Sequence, residues 1–315
     1  MTSVISPSAA PVSLRATGAA RRRLHVERLV KVLLGAASIT TIGITAMIVM
    51  SLVRPTLEFF GNVSIREFFT TTRWTPLFAD KNFGVWPLVV GTMWTTGIAL
   101  VVAVPLGLGA AFYLSEYAHP RTRSILKPIL EILAGIPTVV FGFFALFFIN
   151  PEVVRKVWPG DVGTYSGLAA GVVVGVMILP TVASLAEDAM SAVPQSLRHG
   201  AFALGSTRRE VSTSIVFRAA LSGIVASIVL AASRAIGETT IVLIAAGTRP
   251  TLTSNPGDQM QSMASFIGFA GIGDQSTGST GYQTIFAVGS LLFMITLVLN
   301  IISIRIVRRF REVYE

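Results

Sequence analysis

AALSGIVASIVLAASRAIGETTIVLIAAG, from Ala219 to Gly247, is the stretch on which the reading of this chain turns. It exceeds the roughly 20 apolar residues that a helix needs to cross a bilayer. Two charges interrupt it, Arg234 and Glu238. Each costs ~2.5–3.5 kcal/mol near the centre of a span, so charges survive there for a reason. On a continuous helix, their i, i+4 spacing puts both on one face and within reach of each other. Ser227, Ala231 and Ala245 follow that face. Two readings stand: a working site, or a pair that joins helices and fixes their register.

The composition agrees with a membrane chain. Across 315 residues, 52% are hydrophobic and 13% charged, and the mean hydropathy is +0.70. These values exclude an ordinary soluble enzyme. With no cysteine, there is no disulfide framework, thiolate nucleophile or Cys-ligated metal. His25, His119 and His199 lie far apart, so no metal site and no cofactor are expected. The chain contains no Gly-Lys pair, hence no G-x-x-x-x-G-K-[ST] loop, and ATP must be hydrolysed on another chain. Gly268, Gly271 and Gly273 in GFAGIG lack a strand–helix context and read as a turn. No catalytic triad or carboxylate pair is visible.

Hydropathy divides the chain into six spans, about 29–53, 88–114, 125–149, 167–189, 219–246 and 282–304, giving an all-α polytopic membrane protein. A basic segment, 1–28, precedes them, and a transmembrane domain occupies 29–315. The first apolar run is too long for a signal-peptide core and reads as a retained span. With both termini in the cytoplasm, 17 of the 25 Lys and Arg residues fall inside, seven fall outside, and Arg234 is left in the membrane. The +9 net charge thus gathers at helix ends facing the lipid bilayer, with no call for nucleic acid. Pro105, Pro137 and Pro180 remove backbone hydrogen bonds inside spans. Gly171 and Gly175 form a G-x-x-x-G that predicts close helix packing. Glu131, one turn beyond Lys127, reads either as its screened partner or as a functional acid. The loop 248–281 holds a short apolar segment, MQSMASFIGFAG, read as either a re-entrant or a surface helix.

The segment 187–210 on the cytoplasmic side is the second informative stretch. Pro194 suits a first helical turn and Gly205 a C-terminal stop, which predicts a helix of about 11 residues, roughly 16 Å long. Leu197, Ala201 and Leu204 give it an apolar stripe. Thr207 and Glu210 read as a capping box that starts a helix continuing into the fifth span. A short helix held below the membrane is suited to docking a partner, through Pro194, Leu197, Arg198, His199, Ala201, Phe202, Leu204 and Gly205.

This stretch resembles the EAA loop of binding-protein-dependent ABC importer permeases: His199-Gly200-Ala201, three residues, Gly205, nine residues, then Ile215-Val216-Phe217-Arg218. Glu-Ala is replaced by His-Gly at its start, and Leu-x-Pro by Phe217-Arg218 near its end. Four further blocks, VPLGLGAAFYLSEYA (104–118), LAGIPTVVFGFFALFF (133–148), ILPTVASLAEDAMSAVPQSLRHGAFALG (178–205) and SRAIGETTIVLIAAG (233–247), are similar to the phosphate-specific branch, in particular its PstC-type subunit. The resemblance implies a type I ABC importer permease fold in the bacterial inner membrane. It implies a heterodimer with a second homologous permease, two cytoplasmic ATPase subunits and an extracytoplasmic phosphate-binding protein. Arg234 and Glu238 match that family's transport motif, R-x-x-G-E. The chemistry fits: a guanidinium offers a planar fork to phosphate oxygens, and Glu238 offers a replaceable counter-ion. Thr239 and Thr240 add hydroxyls. The alternatives are a sulfate or molybdate permease, or a stand-alone secondary anion transporter, for which matched discontinuous repeats are expected.

Overall fold

The computed structural model describes residues 18–310. The N-terminal residues through position 17, with Arg15, and the last five, with Arg311, lie outside the described residues. Twelve helices follow in chain order: α1 (Gly18–Asn62), α2 (Ile65–Thr70), α3 (Trp86–Tyr117), α4 (Pro120–Ala134), α5 (Thr138–Val157), α6 (Gly167–Ser191), α7 (Gln195–Ala203), α8 (Arg208–Ala219), α9 (Leu221–Ile236), α10 (Thr240–Ala245), α11 (Met263–Ile272) and α12 (Thr280–Phe310). Two compact units divide within α1, between Ser51 and Leu52. The first, in its described part, is α1 up to Ser51, an apolar helix. The second holds everything else discussed below.

Five helices are long and apolar enough to cross a membrane, and α8 with α9 makes a sixth if that bent pair is one span. The six expected spans therefore have their counterparts, with three corrections. The first span runs on to Asn62, where a loop was expected from Arg54. The third is α5 alone, Thr138–Val157, because the chain breaks at Gly135–Pro137. Pro137 cannot donate to the ladder and holds the residue before it away from helical geometry. α4, which carries Arg123, Lys127 and Glu131, lies outside the spans. The fifth is not one straight helix. α8 and α9 meet at 68° at Ala220, beyond a π-helical stretch, Val211–Val216, whose widened turn disrupts the ladder. The chain breaks again between Ile236 and Thr240.

α6 lies at the centre of the second unit. On its Gly171–Gly175 face the predicted close approach is present. A Cβ on Gly171 would meet Ile98 Cβ at 2.8 Å, and one on Gly175 would meet Val102 Cβ at 2.8 Å and the Ala99 carbonyl at 2.9 Å. Small residues let α3 and α6 touch along their backbones, where lipid supplies no hydrophobic drive to hold them together. α11 is neither a surface helix nor a turn. Phe266 packs edge-on against Trp74 at 5.1 Å, in a buried cluster with Phe59 and Phe68. Gly268 and Gly271, expected in a turn, lie inside α11.

Candidate functional site

Arg234 lies in the last turn of α9, and Gly237 closes that helix at φ −84°, ψ 0°. Glu238 then does what N-cap side chains do: its carboxylate accepts from the Ile241 N–H at 3.1 Å, satisfying one free donor in the first turn of α10. The expected Arg234–Glu238 ion pair is therefore not formed. The i, i+4 geometry needs a continuous helix, and the helix stops between them. Arg234 instead donates to the Thr181 hydroxyl at 3.2 Å. Thr181 follows Pro180 near the middle of α6, so the guanidinium sits at mid-span level. Among the described residues, no carboxylate lies within 4.0 Å of it, and it is exposed on the face of this single chain.

The break is supported from behind. α11 backs onto it, and a Cβ on Gly268 would fall 2.6 Å from Thr239 Cγ2. α5 supports α10, with Gly142 against Ile244. The Thr239 hydroxyl donates to the Gly237 carbonyl at 3.3 Å. Thr240 opens α10 and is half-buried. The break thus lies between an exposed arginine in the last turn of α9 and two threonines at the start of α10, with α11 and α5 packed behind it.

The α7 region keeps some expected features and revises others. Pro194 precedes the helix, Gly205 follows it in the left-handed region at φ +84°, and the Thr207–Glu210 capping box is complete. Arg198, however, faces inward. It is 9% exposed, lies 2.5 Å from Glu116 and donates to the Met190 carbonyl at 2.8 Å. Ala201 is buried and Leu197 partly so, both against the cluster of Met190, Val211 and Ile224. Leu204, placed on the same stripe by sequence, is 89% exposed. The outward side of α7 therefore presents His199, Phe202 and Leu204.

Sequence reasoning missed the acids that hold this end together. Glu116 lies in a π-helical turn, Tyr113–Tyr117, and is buried. Besides Arg198 it meets the Ser212 hydroxyl at 3.2 Å. Its carbonyl accepts from Arg208, whose guanidinium lies 5.1 Å from the Tyr117 ring centroid. Glu187, 1% exposed, binds Arg123 and Lys127 from α4 and Ser191 from its own helix. Lys127 reaches Glu187 and Asp188, each at 2.9 Å, rather than Glu131. The signal was present as acids bordering apolar runs, but their basic partners lie 60 or more positions away in sequence.

The carboxylates of Asp188 and Glu187, in that order, hold the Lys127 ammonium above its ordinary lysine value. A raised lysine stabilises the fold fully below its unfolded value, and that contribution goes as pH rises through the folded one. The lysine's share of the tie between α4 and α6 is thus expected to be present across the neutral range and to be lost under alkaline conditions. Thermal unfolding of the complex against pH should show this alkaline step, and Lys127→Met should remove it. A step of unchanged size in that variant would refute the assignment.

The comparisons follow from this architecture. Residues 103–312 match the family described as "Binding-protein-dependent transport system inner membrane component". The chain is 33% identical over 253 residues to "Probable ABC transporter permease protein YqgH" of Bacillus subtilis, covering 80% of this chain and 81% of that one. It is 32% identical over 289 residues to "Phosphate transport system permease protein PstC 1" of Mycobacterium tuberculosis, covering 80% and 85%. Its fold matches a chain of a bacterial ABC transporter involved in the import of the acidic polysaccharide alginate, with a TM-score of 0.63 at 14% identity, covering 92% of this chain and all of that one. The family match over most of the chain and the many-helix membrane fold agree, and this chain belongs to the binding-protein-dependent transport system inner membrane components, the multi-pass permease subunits of ABC importers.

Proposed function

We propose that this permease carries inorganic phosphate, with Arg234 as the mid-span seat of the anion. The observation that carries the reading is the guanidinium at the helix break, which donates to the Thr181 hydroxyl at 3.2 Å and, among the described residues, has no carboxylate within 4.0 Å. A cation in a span without a counter-ion is costly unless an anion visits it. A guanidinium keeps its charge when partly desolvated and offers paired donors to a tetrahedral oxyanion. The similarity to relatives named as phosphate permeases supports phosphate over sulfate or molybdate. Thr239 and Thr240 follow the break in the chain and add hydroxyls on this reading, and Glu238 caps α10 through the Ile241 N–H.

On this reading the chain is non-catalytic. It pairs with a second homologous permease to complete the pathway, receives phosphate from an extracytoplasmic binding protein, and docks a separate ATPase through the exposed His199, Phe202 and Leu204 of α7. Both termini are cytoplasmic, following the lysine and arginine bias. The test is uptake of labelled phosphate by the reconstituted complex. ATP-dependent uptake that excess sulfate does not compete away is expected. Uptake driven by an ion gradient without ATP, or equal competition by sulfate, would overturn the reading.

A further inference from the structure

Two connections with no part in the reading above meet at the end of the bundle away from α7. Residues from the segment before α3 and from the segment after α10 line one cleft of 890 Å³. Its place follows from chain direction. α3 runs from Trp86 to the turn whose Glu116 holds Arg198, so the residues before Trp86 lie at the opposite end. Ala245 of α10 accepts from the Ser166 N–H at the start of α6, while Met190 near the other end of α6 binds Arg198. By the lysine and arginine bias, this end is the extracytoplasmic mouth.

The wall chemistry is one-sided. Arg73 and Arg249 both line the cleft, with Thr72, Thr248 and Thr251, and no Asp or Glu does. Among the described residues, neither arginine has a carboxylate within 4.0 Å. Trp74 also lines it, is 2% exposed, and among the described residues its indole N–H has no acceptor. Buried donors are nearly always paired, so an unpaired one within the wall of this cleft stands out. The backbone on both sides is set in advance. The Arg73 carbonyl accepts from the Gly84 N–H at 2.8 Å, and a Cβ on Gly84 would fall 1.9 Å from the Thr71 carbonyl oxygen, so only glycine permits that closure. Gly247, at φ +92°, turns the chain out of α10, and the Thr251 hydroxyl is tied to the Gln259 carbonyl.

We propose that this cleft receives a tetrahedral oxyanion at the outer mouth, before Arg234. Calling that anion the transported phosphate rests on the function proposed above. Two cations without internal counter-ions draw an anion in, and guanidinium forks match its oxygens. Both arginines are exposed, which keeps the hold weak enough to pass the anion on.

The first test labels arginines of the wild-type complex with phenylglyoxal and reads Arg73 and Arg249 by mass spectrometry. Inorganic phosphate should protect both, and chloride should not. No protection by phosphate, or protection only when phosphatidylglycerol is present, would overturn the site. Protection in a complex that shows no phosphate uptake would leave the cleft standing and remove the transport reading. The second test is Arg73→Ala with Arg249→Ala. Uptake should fall about tenfold or more, the scale of lost charge-assisted hydrogen bonds, while ATPase stimulation by the loaded binding protein persists. Loss of that stimulation in parallel would mean that the arginines dock the binding protein, and would overturn the anion site.

Discussion

Arg234→Ala is expected to stop phosphate uptake while leaving the complex assembled. The side chain is exposed and makes one hydrogen bond, to Thr181 at 3.2 Å, so its removal costs about 1 kcal/mol of stability at most. No carboxylate would be stranded, because none lies within 4.0 Å of it among the described residues. The transport cost is different in kind, since the proposed seat loses the cation on which it is built. Arg234→Lys keeps the charge but not the fork and should retain a fraction of uptake. Glu238 separates two roles. Glu238→Gln keeps an acceptor for the Ile241 N–H, so an α10 cap survives and most uptake should persist. Glu238→Ala removes the cap, a change of about 0.5–2 kcal/mol, and should lower uptake by closing or loosening the break. Reconstituted uptake, together with size-exclusion assembly, reads both. Normal uptake by the Arg234→Ala complex would rule out the seat, and a strong loss in Glu238→Gln with intact assembly would restore the counter-ion role.

Arg198→Ala should be the most destabilising single change. Glu116 and Arg198 are both almost fully buried, and removing the arginine leaves a buried carboxylate unpaired, at about 3–5 kcal/mol. The same change frees the Met190 carbonyl near the end of α6 and loosens α7 from α3. A lower unfolding temperature is expected, with ATPase activity no longer stimulated by the loaded binding protein, because the proposed docking helix would lose its tie to the spans. The double variant Glu116→Ala with Arg198→Ala should recover part of the stability, since no lone charge remains. An Arg198→Ala complex with unchanged melting and stimulation would show that the pair is dispensable. A double variant as unstable as the sum of the single ones would show that the two residues act independently.

The spans and short-range devices were legible because their causes are local. Apolar length marks a span, Thr207 and Glu210 three apart cap a helix, and Gly205 stops one by adopting φ +84°. Gly171 and Gly175 announced a close helix contact, which the structure makes with α3, since four-residue spacing aligns small residues on a helix face. The charge of Arg234 within an apolar run marked it as a candidate before any fold was known.

Helix continuity was not legible. Periodicity treats Ala219–Gly247 as one cylinder, but Gly237 ends α9, Glu238 caps α10, and α11 and α5 hold the broken geometry from outside. That choice depends on contacts from residues 142 and 268, which no local window contains. The same holds for Arg198. Its sequence neighbours suggest a docking face, whereas Glu116, 82 positions earlier, draws it into the interior. By itself the sequence determined a many-span helical permease with a cation in its fifth span and a short capped helix before that span. Tertiary structure alone decided which charges are paired and which stand free. In a low-dielectric interior a charge must find its partner in space, and these partners came from distant helices.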